Sequence, residues 1–295
     1  MAERQLYSKK VIREIMEQHE LHFKKSLGQN FLTDHNILLS IVSAAELDDR
    51  SVVLEIGPGI GTLTQQLAKA ASQVIAIELD QRFIAVLQEN FRNNPQVKVL
   101  HGDALEIDFL QILGDLHCDL DHQKLHVVAN LPYYVTTPII MRLLELELPL
   151  KNIVVMIQKE VAQRIQAKPG TKEYGALSIA AQYYAEPEIV TIVPKTVFVP
   201  EPNVDSAVIK LTLHEQPIVN VRDRALFFQT VKAGFANRRK TLWNNFKNFH
   251  PQISPDEWRD IFQKIGIDPV RRGETLSIEE YANLSDKIAD FLSDK

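Results

Sequence analysis

One cysteine, Cys118, in a chain of 295 residues has no partner, so no intramolecular disulfide forms and a reducing compartment is the expected setting. Long apolar runs are missing too: no stretch approaches the roughly 18 residues that a membrane-spanning helix requires. The opening stretch, MAERQLYSKKVIREIMEQHE, mixes charges with apolar positions and lacks the apolar core of a signal peptide. The nine histidines form no cluster with ligand spacing, so nothing in the sequence supports a metal. There is no internal repeat and no low-complexity tract. These absences set the expectation of a cytoplasmic protein that needs neither membrane nor metal, and a monomer is expected.

What is present is ordinary in bulk and uneven in detail. Hydrophobic residues make up 45% and charged residues 24%, values of a globular chain that buries a core. The net charge of −5 argues weakly against nucleic acid, but its distribution argues the other way. Residues 220–250 carry Arg222, Arg224, Lys232, Arg238, Arg239, Lys240 and Lys247 against Asp223 alone, Lys24 and Lys25 precede Gly28, and Arg271-Arg272 follow later. The local field governs contact with a phosphate backbone, so a basic face on an acidic protein still suits nucleic acid. A solvated helix face is the plainer reading of the long basic stretch.

Positions Val11, Ile12, Ile15 and Met16 give residues 8–21 an amphipathic helical period. Apolar strands then alternate with helical patterns: VVLEIG (52–57), QVIAIEL (73–79), VKVLHGD (97–103), LHVVANL (125–131) and NIVVMIQ (152–158). Continuous apolar strands separated by helices indicate a parallel sheet covered on both faces. PEIVTIV and SAVIKLTL, separated by the proline-rich PKTVFVPEPNVD, are expected to close one edge as an antiparallel pair. Residues 221–292 show helical periods only. The expected fold is therefore α/β, a mostly parallel sheet with an antiparallel edge pair, followed by a small all-helical domain. The expected divisions are an N-terminal helical extension (1–23), an α/β domain (24–214) and a helical domain (215–295).

Four motifs point to chemistry. In LEIGPGIGTLT (54–64), Gly57, Gly59 and Gly61 follow a strand and open a helix, where a backbone can approach a ligand closely. The spacing is G-x-G-x-G, not the G-x-G-x-x-G of a dinucleotide site. That favours a nucleoside cofactor without phosphates, and Glu55 before the turn suits a ligand carrying positive charge. Glu78 ends the second strand, where a carboxylate can hold a ribose hydroxyl pair. Asp103 ends the third, where it can accept from an adenine amino group; alone it would read as a helix cap. In HVVANLPYYVTTPII (126–140) the fourth strand ends at Asn130-Leu131-Pro132-Tyr133. The exocyclic amine of adenine is a poor nucleophile because its lone pair is delocalised into the ring. Two fixed acceptors, the Asn130 side-chain oxygen and the Leu131 carbonyl set by the fixed φ of Pro132, would draw that amine toward tetrahedral geometry. Tyr133 would offer a face for an extruded base. An N-capped helix explains the asparagine but not Pro-Tyr. Phe198, between Pro194 and Pro200, is expected as an exposed second face of the stacking sandwich, with a core anchor as the alternative.

These motifs, with KKSLGQNFL (24–32) and FANRRKTLWNN (235–245), resemble the ribosomal RNA adenine dimethyltransferase family, most closely its bacterial small-subunit (16S) branch, over about residue 20 to the C-terminus. The resemblance implies a Rossmann-like class I methyltransferase that uses S-adenosylmethionine to dimethylate two adjacent adenosines near the 3′ end of 16S rRNA, within the small ribosomal subunit and late in its biogenesis. It implies cofactor contacts from Asn30 and Leu32, Gly57 and Gly59 against the methionine part, Glu78 on the ribose, Asp103 on the adenine and Asn130 at the transfer point. Tyr133 and Phe198 would flank the target base, and Lys24, Lys25, Arg222, Arg238, Arg239 and Lys240 would meet RNA. The rivals are a 23S rRNA adenine dimethyltransferase of the macrolide-resistance type, with a shorter C-terminal domain, and an assembly factor in which binding outweighs catalysis.

Overall fold

The computed structural model describes residues 4–22, 28–146 and 148–293. The chain forms two compact units, one built from the segment up to Ala162 together with Pro187–Leu213, the other from Gln163–Glu186 and the residues from His214 onward.

Nine strands occur among the described residues: β1 (Phe31–Leu32), β2 (Ser51–Ile56), β3 (Gln73–Glu78), β4 (Val97–His101), β5 (Lys124–Asn130), β6 (Leu150–Gln158), β7 (Ala185–Val193), β8 (Phe198–Val199) and β9 (Ser206–Leu213). Seven of them build one sheet in the order β4-β3-β2-β5-β6-β9-β7, and β1 pairs with β8 separately. Pairing is parallel from β4 through β6 and antiparallel between β6 and β9. This is the mostly parallel sheet with a reversed edge that the apolar runs imply. β2 is buried along its whole length, and β5 and β6 nearly so. The strand order turns back between β2 and β5, and in such sheets ligands bind beyond the carboxyl ends of the strands at that reversal.

The helices of this unit are α1 (Lys9–Gln18), α2 (His35–Ala45), α3 (Thr64–Ala70), α4 (Gln81–Asn90), α5 (Phe109–Asp115), α6 (Thr136–Glu145) and α7 (Lys159–Gln166), which runs on into the second unit. Aspartates start three of them: Asp34, Asp80 and Asp108 accept from the first free backbone N–H groups of α2, α4 and α5. In α1, Ile12, Ile15 and Met16 recur at helical spacing and are buried in the same core as Val53, Val74, Val128 and Val154. Leu6 joins that core, and the Gln65 side chain fixes the segment by accepting from Leu6 N and donating to the Arg4 carbonyl. The N-terminal stretch, expected as an extension, is thus part of the first unit's interior.

At the opposite end of the strands from their carboxyl termini lies a buried polar cluster. His126 meets Asn152 Oδ1 at 2.9 Å and Ser51 Oγ at 3.3 Å, while Asn152 Nδ2 donates to the Ala45 carbonyl at 2.9 Å. Asn152 therefore presents its oxygen to the ring, which requires a proton on Nδ1. Burial holds the imidazole below the ordinary histidine range, opposed by the bond to Asn152 and helped by the charge of Lys151. Folding favours the neutral ring, so this stabilisation is complete above the unfolded value of 6.5 and is lost as pH falls below it. Between about pH 7.5 and about pH 5.5 the melting temperature of the wild type is expected to fall further than that of His126→Gln. Equal falls would mean that His126 is not the group responsible.

The second unit contains α8 (Ala176–Tyr184), α9 (Arg224–Gly234), α10 (Leu242–Phe246), α11 (Pro255–Lys264) and α12 (Ile278–Ser293). Its core is aromatic: Phe246 packs on Trp258 and Phe262, Tyr183 on Phe227, and Phe235 on Tyr281. Ser254 and Glu257 form a reciprocal capping box at α11, with Pro255 at its first position. Residues 163–186, expected within the α/β domain, pack here through Tyr174, Ile179 and Tyr183. Their sequence continues the strand-helix alternation, and only contact with helices some fifty residues further on assigns them.

Candidate active site

A cavity of about 240 Å³ opens beyond the carboxyl ends of β2–β5. Four loops and the segment Gly28–Phe31 wall it: Gly57–Gly59 after β2, Glu78 and Leu79 after β3, Asp103–Leu105 after β4, and Asn130–Val135 after β5. Its charged lining residues are Glu55, Glu78 and Asp103, with no Lys, Arg or His among those described. A pocket with three acidic side chains and no base suits a phosphate-free ligand better than an anionic one.

The turn after β2 needs its glycines for space as well as for conformation. Gly59 has φ +61, and a Cβ there would lie 2.7 Å from the ring of Phe31. The close approach leaves the Gly59 N–H free to donate to Glu78 Oε2 at 2.9 Å. Glu55 is 1% exposed and its Oε2 has no hydrogen-bond partner among the described residues. Burial pushes its carboxyl up to about 8, with the Glu78 charge adding to the rise. Thr64 beside the same carboxyl offsets part of that rise, and the unpartnered oxygen on a cavity wall suits a polar or cationic group of a ligand.

Glu78 is held at both oxygens, from Gly59 N and from Asp80 N at 2.8 Å. Burial still raises its pKa against the lowering by those two N–H groups. Asp103 Oδ1 accepts from Leu105 N at 2.8 Å, so the residue is a turn cap and a cavity wall at once. The loop after β5 shows the same economy. Leu131 N donates to the Met156 carbonyl, and Pro132 O accepts from Val135 N and Thr136 Oγ1. No donor among the described residues reaches the Leu131 carbonyl. Asn130 Nδ2 donates to the Asn30 carbonyl at 3.1 Å. Tyr133 is tied through its hydroxyl to Ser206 Oγ at 2.7 Å, and burial raises its pKa.

The structure thus gathers Asn30, Gly57, Gly59, Glu78, Asp103, Asn130, Leu131, Pro132 and Tyr133 around one cavity. Leu32 is not on its wall: it is buried in β1, opposite Phe198 of β8. Phe198 corrects an expectation. It is 3% exposed and packs in the first unit's core, so it is not an exposed loop aromatic; flanking prolines mark a loop but cannot show that the intervening side chain turns inward. Tyr134, 51% exposed and on the cavity wall, was passed over in the sequence beside Tyr133. Its pKa is raised by burial and then by the charges of Asp103 and Glu78, which places it near both. Gln29, also on the wall, lies within KKSLGQNFL but was given no role, and Leu79 carried no sequence signal of its own.

Among the basic residues, Arg222, Arg238 and Arg271 have partners inside the second unit, Arg271 through Glu280. Arg222 pairs with Asp290 and its N–H donates to Asp286, while Arg238 donates to the carbonyls of Lys172 and Tyr174. Arg239 and Lys240 are exposed. Lys24 and Lys25 lie outside the described residues.

A family model described as ribosomal RNA adenine dimethylase matches residues 7–290. A Bacillus licheniformis protein named ribosomal RNA small subunit methyltransferase A is 55% identical over 95% of this chain and 96% of its own length. A Listeria monocytogenes protein of the same name is 50% identical over 96% of each. Among solved structures, a dimethyladenosine transferase from Plasmodium falciparum is similar at a TM-score of 0.75 and 25% identity, over 89% of this chain and 97% of that one. The 23S rRNA methyltransferase ErmE is similar in fold at a TM-score of 0.65 and 24% identity, over 88% of this chain and 99% of that one.

Proposed function

The chain belongs to the ribosomal RNA adenine dimethylase family, and from that premise we propose that it places two methyl groups on each of two adjacent adenosines near the 3′ end of 16S rRNA, in the small ribosomal subunit and late in its assembly. It does so as a cytoplasmic monomer with S-adenosylmethionine as cofactor. When bound, the cofactor supplies an electrophilic methyl group and leaves as S-adenosylhomocysteine. The cavity would hold it through Glu78 at the end of β3, which would take the ribose hydroxyls, Asp103, which would take the adenine amine, and the buried, unpartnered Glu55 oxygen, which would face a polar or cationic group. Gly57 and Gly59 let the backbone close on the methionine part, beside Asn30.

The observation that carries the reading is the Asn130 amide. Its nitrogen is given to the Asn30 carbonyl, so its oxygen is left for another donor. That oxygen and the Leu131 carbonyl are two acceptors on one turn, matched to the two N–H bonds of an adenine amine. Accepting both localises the lone pair on nitrogen for in-line attack. The amine supplies the electron pair of the new N–C bond and then releases its extra proton to water, so no side chain acts as base. Tyr133, its hydroxyl anchored at Ser206, and Tyr134 offer faces to the extruded base. Arg239 and Lys240 on the second unit meet RNA phosphates.

The test supplies methyl-labelled S-adenosylmethionine with small subunits from a strain lacking the modification and with mature large subunits in parallel. Labelled dimethyladenosine from small subunits alone is the expected result. Label in large subunits would move the protein to 23S rRNA, and label in neither would leave the assembly role as its main one.

A further inference from the structure

An asparagine side chain ends in an amide that can turn over: its last torsion is broad and two-fold, and oxygen and nitrogen exchange places with little steric change. In one orientation Asn130 offers an acceptor to an adenine amine. In the other it offers two N–H donors, which would face the amine's own N–H bonds. What selects the productive orientation is the Asn30 carbonyl, an acceptor 3.1 Å from Asn130 Nδ2. Reversed, the amide would set two acceptor oxygens against each other.

The Asn30 carbonyl belongs to residues 28–30, which lie in no helix or strand and owe their position to side chains. Gln29 Nε2 donates to Asp80 Oδ2 at 3.0 Å. Asp80 is itself immobile: it is buried, receives the Arg82 Nε at 2.9 Å and the Arg82 N–H, and its own N–H is bound to Glu78 Oε1. Arg82 reaches on to the His22 carbonyl at 3.3 Å. On the other side, Gly28 has φ +57 and its Cβ position lies 3.6 Å from both the Tyr133 N and the Pro132 Cβ, so the segment is laid directly on the Asn130–Tyr134 turn. Asn30 Nδ2 bonds back to the Gly28 carbonyl at 3.0 Å and stiffens the same three residues.

We infer that Gln29 and Asp80 are positioning residues for methyl transfer: by anchoring residues 28–30 to the start of α4 they hold the Asn30 carbonyl where it orients the Asn130 amide. The inference rests on the proposed role of Asn130. It also joins two corners of the site. Asp80 binds Glu78 through its N–H and Gln29 through its carboxylate, so the ribose-side carboxylate and the transfer-side amide share one anchor.

Gln29→Ala tests it with the full chain and modification-free small subunits. At saturating S-adenosylmethionine, where a loosened cofactor contact at Asn30 does not limit the rate, the kcat for methyl transfer is expected to fall about tenfold while the melting temperature holds. Placed on Asn130→Ala, the same change is expected to cost nothing further, because the group it positions is gone. The ¹⁵N-labelled side-chain amide of Asn130, identified by its loss in Asn130→Ala, should move toward its free value in Gln29→Ala. An unchanged kcat in Gln29→Ala, an equal loss in the Asn130→Ala background, or an amide signal that does not move would each overturn the inference. Failure of the wild type to methylate small subunits would instead strike the reading of the site beneath it.

Discussion

Asn130→Ala is expected to lower kcat by about 10² or more, the loss seen when one fixed acceptor or donor of a transition state is removed, while binding of S-adenosylhomocysteine changes little. The asymmetry follows from what the residue touches. Its nitrogen is bonded to the Asn30 carbonyl within the protein, so the role left to it is that of an acceptor for the substrate amine. Charge on that amine changes most as the N–C bond forms, which is where a fixed acceptor acts, apart from the RNA contacts proposed for Arg239 and Lys240. Asn130→Asp separates the two halves of the amide. It keeps an oxygen facing the substrate but loses the N–H that satisfies Asn30, so its kcat should lie between wild type and Asn130→Ala. An Asn130→Ala enzyme with undiminished kcat would remove the asparagine from the chemistry. Introduced into a strain lacking the gene, the same variant reads the assembly role: subunit maturation that survives it depends on binding and not on methylation.

How much of this was legible in the sequence depended on the range of the interaction. Strands such as VVLEIG and VVANL declared themselves because burial on both faces demands continuous apolar residues, and the glycine-spaced turn because no other residue fits a Cβ-free approach to Phe31. Asn130, Glu78 and Asp103 were found together because strand ends on one sheet edge converge whatever the loops do. Phe198 and Leu32 were misplaced for the opposite reason. They sit opposite one another in a two-residue ladder between segments 166 positions apart, and no local pattern announces such a pairing. Residues 163–186 were assigned by alternation when their partners lie in α9 and beyond. The pairing of Gln29 with Asp80 was missed for a related reason: Gln29 lay inside a quoted motif, but its partner is an ordinary polar residue until the fold sets one against the other.

The basic stretch divides by the same test of internal partners, and the division carries the second large effect. Arg239→Glu with Lys240→Glu is expected to weaken binding to small subunits by about 10²-fold at moderate salt and to flatten the salt dependence by about one slope unit per phosphate contact removed. Both residues are exposed, at the end of the FANRRK turn. Arg222 stands in the same charge run, but its guanidinium faces Asp290 and its N–H holds Asp286. Arg222→Ala should therefore leave the salt slope near wild type, with any loss appearing in the melting temperature. Arg238 holds the Lys172 and Tyr174 carbonyls, so its removal should loosen the loop before α8 instead of deleting one counterion. Affinity for S-adenosylhomocysteine should be untouched in all three, since the cavity proposed for it is lined by the first unit alone. If Arg222→Ala flattened the slope and the Arg239→Glu, Lys240→Glu protein did not, the phosphate contacts would lie on the residues that the fold already uses, and exposure would have misidentified the RNA-binding face.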